Sequence, residues 1–120
     1  MKNLSDFDQK ILSKWNFKKA LIFVGRIKDN QYLLKMKSFT GIKTLFRIKV
    51  TEPIEIHIKK SIDSGSLSSF LVTKDQYIKL ESEMNQVQRG KYRFRVLGEH
   101  VSGQISIERK YKSHQKSVSE

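Results

Sequence analysis

The sequence predicts a mainly β domain with one short N-terminal helix, and three observations carry that expectation. Apolar and polar residues alternate with period two over most of the chain from residue 20 onward. Turn-forming residues interrupt that alternation at short intervals, as they do in small all-β domains. Helical spacing is confined to the first fifteen residues, where Leu4, Phe7, Ile11 and Trp15 recur three or four apart. A chain of 120 residues suits one domain. The expected architecture is a small barrel or a β-sandwich of about seven strands, with the barrel slightly ahead. The N-terminal meander favours closure because it is continuously apolar on one face.

Taken in order, residues 5–15 form the helix, with Ser5 and Asp8 as a capping box and Asp6 and Asp8 suiting a helix start. This segment, 1–19, is expected to pack on the β-domain formed by 20–109. Asp29-Asn30 then sets a tight hairpin, because both residues tolerate left-handed conformations. That turn places Lys28 opposite Gln31 and Ile27 opposite Tyr32. One face then gathers Leu21, Phe23, Gly25, Ile27, Tyr32, Leu34 and Met36. The other gathers Arg26, Lys28, Gln31, Lys35 and Lys37 around Ile22, Val24 and Leu33.

Phe39 to Gly41 reads as the next turn, and residues 43–50 resume the alternation with Thr44, Phe46, Ile48 and Val50 inward. Pro53 marks a break or edge. Ile54, Ile56 and Ile58 alternate with Glu55, His57 and Lys59, and Asp63-Ser64-Gly65 reads as a turn before strands at 67–73 and 76–81. Arg89-Gly90 turns into Tyr92, Phe94 and Val96, and Gly98 to Gly103 reads as a loop before Ile105 and Ile107. Residues 110–120 are expected to be a flexible basic tail.

Charge is the strongest functional signal. Twenty-four Lys and Arg face twelve Asp and Glu, a net +12. The excess is uneven: +9 over residues 1–50, −2 over 51–85 and +5 over 86–120. So large a charge repels itself in the compact state, which points to an anionic partner. The absence of cysteine excludes disulfides, thiolate metal sites and cysteine nucleophiles. The longest apolar run, 20–24, is far too short to span a bilayer, and the N-terminus lacks the apolar core of a secretory signal. A soluble, cytoplasmic protein is expected.

No residue pattern announces catalysis. His57, His100 and His114 are scattered and not at metal-ligand spacing. Glu81 and Glu83 read as surface charge. The serines between 61 and 69 sit in no nucleophile elbow, and the six glycines fall singly, with no phosphate loop. The chain is therefore expected to be no enzyme, with no cofactor and no metal.

What remains is a set of basic pairs at two-residue spacing, which places each pair on one side of its strand: Arg26 and Lys28, Lys35 and Lys37, Arg47 and Lys49, then Lys91, Arg93 and Arg95. If the first strands form a meander, the first six share one outer surface. These nine residues are the expected nucleic-acid contacts, made chiefly with phosphates. RNA is preferred to DNA because β-platforms commonly read single strands and loops. An acidic protein partner is the alternative, since Ile22, Val24, Leu33 and Leu45 offer an apolar centre inside a basic rim. A membrane surface ranks third, served by Lys10, Lys14, Lys18 and Lys19. In strand number and charge, the stretches from Arg26 to Lys49 and from Lys91 to Arg95 resemble small basic barrels of the PUA or OB type. That resemblance implies nucleic-acid binding. The Gly90-Lys91-Tyr92 and Gly103–Ile107 segments are also similar to parts of secreted β-sandwich modules.

Overall fold

The computed structural model describes residues 6–14, 16–28 and 30–111. Ser5, Trp15, Asp29 and residues 112–120, and the expectations resting on them, lie outside this range. One helix, α1 (Asp6–Leu12), precedes seven strands: β1 (Phe17–Lys19), β2 (Ile22–Lys28), β3 (Gln31–Val50), β4 (Ile54–Val72), β5 (Tyr77–Lys79), β6 (Met84–Val87) and β7 (Gly90–Tyr111). The helix is shorter than expected, and 17–19 are extended rather than helical. Lys110 and Tyr111 belong to β7, opposite Glu55 and Ile54, so the β-domain runs past the expected boundary at 109.

All strands join one antiparallel sheet. β7 is its centre, between β3 and β4. β1 and β2 lie end to end along the outer edge of β3, and β5 and β6 do the same along β4. The β2–β3 hairpin has the expected register, with Lys28 opposite Gln31, Ile27 opposite Tyr32 and seven unbroken pairs out to Ile22 and Lys37. β6 was not anticipated, because Met84–Val87 carries no apolar alternation.

The three long strands correct the expected turns. Phe39 to Gly41, Asp63 to Gly65 and Gly98 to Gly103 do not reverse the chain. They are bulges in continuous strands, and they lie side by side: Gly41 faces Gly98, Met36 faces Gly103, and Gly103 faces Ile62. Residues that make turns also make bulges, since both need positive φ or a missing side chain. Here Ser38, Gly65, His100 and Gly103 adopt φ of 55°, 79°, 49° and 149°. A Cβ on Gly65 would enter the backbone of Glu99 and His100, and one on Gly103 would enter that of Ser61 and Ile62.

The aligned bulges fold the sheet over. A straight strand of β7's length would span roughly 70 Å, whereas the longest dimension of the molecule is 49 Å. Val50 lies opposite Gly90 and Ile54 opposite Tyr111, the two ends of β7. Four residue steps cannot separate Val50 from Ile54 by more than about 15 Å. The ends of β7 must therefore approach each other. The first half-sheet holds β2, β6 and residues 31–37, 54–62 and 103–111. The second holds β1, β5 and residues 40–50, 66–72 and 90–98. Their inner faces share one core, in which Leu34, Ile58 and Ile105 meet Ile48, Leu71 and Phe94. No ladder joins the β1/β2 edge to the β5/β6 edge among the described residues, so the sheet is folded but not closed.

On the outer face of the second half-sheet, Ile11 of α1 is fully buried against Ile42, Phe70 and Val72. Phe7 adds edge-on contacts to Phe70 and Tyr77. The Tyr77 hydroxyl donates to Asp8 Oδ1 at 2.5 Å, which pushes the phenol pKa upward. No helix among the described residues is long and apolar enough to cross a membrane.

Candidate anion-binding cleft

The nine expected contact residues do not form one surface. Lys35 and Lys37 point outward from the first half-sheet, and so do Arg26 and Lys28, each paired across the hairpin with an outward residue of β3; all four are exposed. Arg47 and Lys49 follow the bend of β3 and point outward from the second half-sheet. There they pair directly with β7, Arg47 opposite Arg93 and Lys49 opposite Lys91. The single meander surface expected for the first six residues is thus divided by the fold. The basic N-terminal and C-terminal portions do meet, through the β3–β7 pairs and at the end of α1.

Arg95 is the main correction. It is 0% exposed and cannot reach a ligand at the surface. Its guanidinium donates to the Ile11 carbonyl at 3.0 Å, to the Ser13 carbonyl and to Asn16 Oδ1 at 3.4 Å. Arg93 donates from Nη1 to the Ser13 carbonyl and from Nη2 to the Leu12 carbonyl, both at 2.9 Å. The last carbonyls of a helix lack intrahelical partners and carry partial negative charge, so cations are favoured there. Two arginines on one face of β7 therefore tie the end of α1 to the sheet. Burial, and then the neighbouring Arg93 charge, push the Arg95 pKa down to about 10. Burial and the Arg47 charge lower that of Arg93 as well.

Beside this anchor lies a cleft of about 630 Å³ between the end of α1, the β3–β7 pairs and the turn after β4. Six cations line it: Lys14, Arg47, Lys49, Lys74, Lys91 and Arg93. Leu12, Ile48, Val72 and Tyr92 supply apolar wall, and none of the described lining residues is acidic. Four of the nine expected residues are thus brought together. Lys14 and Lys74 were missed as members of this group. Lys14 follows the helix, and Lys74 sits in a turn closed by Thr73 and Gln76. Nothing local in the sequence links either of them to β7.

The cleft offers electrostatic attraction and little else. Cations around a low-dielectric wall, with no acid among the described lining residues, concentrate a positive field that phosphates can enter. Among the described residues no exposed ring lines it, since Tyr92 is nearly buried and the ring of Phe39 lies in the core. The described histidines remain apart: His57 bonds Glu55 at 3.2 Å, and His100 sits in the bend. No group of three metal-ligating side chains occurs among the described residues. Comparison with protein-family models, with curated proteins and with solved structures finds no match to this chain.

Proposed function

We propose that this domain is a non-enzymatic nucleic-acid-binding module, RNA ahead of DNA, with a regulatory role in the cytoplasm. The carrying observation is the cleft lined, among the described residues, by six cations and no acid. Phosphates are the matching ligand, because each Lys or Arg contact releases condensed counterions. The preference for RNA is supported by α1. It is seven residues long and its apolar face is buried on the sheet, so it offers no helix for a DNA major groove. The burial of Ile11 also leaves Phe7 as the one exposed large apolar side chain of α1, too little to insert into a membrane. The curl of the sheet, with cations on its outer surfaces, supports the likeness to small basic barrels.

Binding of oligouridylate and of matched oligothymidylate, followed by fluorescence anisotropy, tests the proposal. Five phosphate contacts to a single strand give roughly a 100-fold loss of affinity between about 50 and about 200 mM salt. The double variant Lys49→Glu, Lys91→Glu should abolish binding at the lower salt. Salt-insensitive binding, absence of binding at low salt, or an unaffected double variant would each overturn it.

A further inference from the structure

We infer that the free edge of β2 docks an extended acidic segment of another protein, which adds to the sheet as a further strand. β2 pairs with β3 on one side, and no strand among the described residues pairs with its other side. Exposed edges are usually blunted by charged side chains, proline, a bulge or an inward charge, and of these β2 carries only the first, at Arg26 and Lys28. β2 has no proline, and its seven-pair register with β3 is unbroken. Its apolar content is also concentrated. Of the eight large apolar side chains exposed among the described residues, four fall on this segment: Leu21, Ile22, Val24 and Ile27. Leu21 and Ile27 are 75% and 71% exposed. Ile22 and Val24 lie on one face and Leu21 and Ile27 on the other, so an added strand would cover apolar surface on both sides of this edge.

Charge selects the occupant. Ile22, Val24, Arg26 and Lys28 share the outward face, flanked by Lys37 and Lys35 of β3. A groove of about 310 Å³ opens on this face between Val24, Arg26, Leu33 and Lys35. No acid occurs on β2. A strand with carboxylates opposite Arg26 and Lys28, and apolar side chains opposite Ile22 and Val24, satisfies that pattern; cross-strand pairs of opposite charge are favourable and like pairs are not. A second copy of this chain would instead bring another +12 molecule to the same edge. Nucleic acid could meet the lysines but could not continue the backbone ladder.

This surface lies on the half-sheet away from the cleft, so its test is independent of the proposed function. A synthetic peptide with Glu, Glu, Val and Val at alternate positions and Thr between them is added to the full chain, and amide hydrogen exchange is followed by NMR. Outward-pointing amides in 22–28 should slow by roughly tenfold or more. The variant Arg26→Glu, Lys28→Glu should lose this protection and regain it when the two Glu of the peptide are replaced by Lys. The cleft variant Lys91→Glu should bind the acidic peptide as the parent does. Three results would overturn the inference: protection mapped to the cleft, an unchanged peptide preference in the charge-reversed variant, or a self-associated protein whose dimer is abolished by Ile27→Glu.

Discussion

Tyr32 and Phe46 lie on the same strand, β3, yet their rings pack with centroids 5.3 Å apart. In a straight strand they would be separated by roughly 46 Å. Phe46 also stacks on Phe94 at 5.0 Å, so a row of three rings clasps the two half-sheets. Phe46→Ala should cost about 3 kcal/mol, from lost burial and ring contacts together. Urea unfolding measures it, and a loss under about 1 kcal/mol would show that the clasp matters little.

Arg95 ties the end of α1 to the sheet from a fully buried position. Arg95→Ala would leave helix carbonyls without donors and should cost about 3 kcal/mol. Arg95→Lys should recover only part of that, because an ammonium lacks the planar fork. Lys49→Ala, at an exposed site, should change stability by less than about 0.5 kcal/mol. Equal losses for Arg95→Ala and Lys49→Ala would contradict the anchoring role.

The division of the cations has its own signature in salt titrations. Lys49→Ala or Lys91→Ala should reduce the slope of log affinity against log salt by roughly 0.7 each for a single strand. Lys35→Ala and Lys37→Ala, on the other half-sheet, should leave that slope nearly unchanged. A uniform effect of all four would mean that nucleic acid uses the whole molecule rather than the cleft.

Bending the sheet depends on backbone conformations that a side chain opposes. Gly65→Ala should destabilise the fold by about 2 kcal/mol or more, combining positive φ with a collision against the backbone of His100. Thermal unfolding reports it. An unchanged midpoint would place the bend's stability elsewhere.

Tyr77 gives a pH dependence of defined sign. Its folded-state pKa is raised, first by donation to the Asp8 carboxylate and then by burial, so the folded chain holds the phenolic proton more tightly than the unfolded one. The resulting stability is complete below about pH 10 and is lost as pH rises through the folded-state value. Tyr77→Phe should therefore be less stable by up to about 1 kcal/mol at neutral pH. The gap should close in alkaline buffer; a gap that widens there would refute the assignment.

The hairpin of β2 and β3 was legible because a two-residue turn and strict alternation fix register together, and Lys28 opposite Gln31 follows from both. The long strands were not, because Gly65 and Gly103 give the same local signal whether the chain reverses or merely bulges. Only pairing with distant strands decides between them. The outward phase of Arg47, Lys49 and Lys91 was readable from two-residue spacing. That Arg93 and Arg95 share a face was readable too, but not that α1 covers it. Helical spacing shows that α1 has an apolar side without showing which surface receives it; Lys14 joins the cleft through that docking, and Lys74 through the pairing of β4 with β7.

The position of β7 between β3 and β4 has a consequence for biosynthesis. Residues 31–72 emerge from the ribosome well before their shared partner at 90–111 exists. Until then β3 and β4 carry long, partly apolar edges that nothing in the nascent chain can cover, and both ladders must form late and over large sequence separations. Such topologies fold slowly and are exposed to misassociation while they wait. The high positive charge, whatever ligand it serves in the finished protein, also keeps unfinished copies apart during that interval.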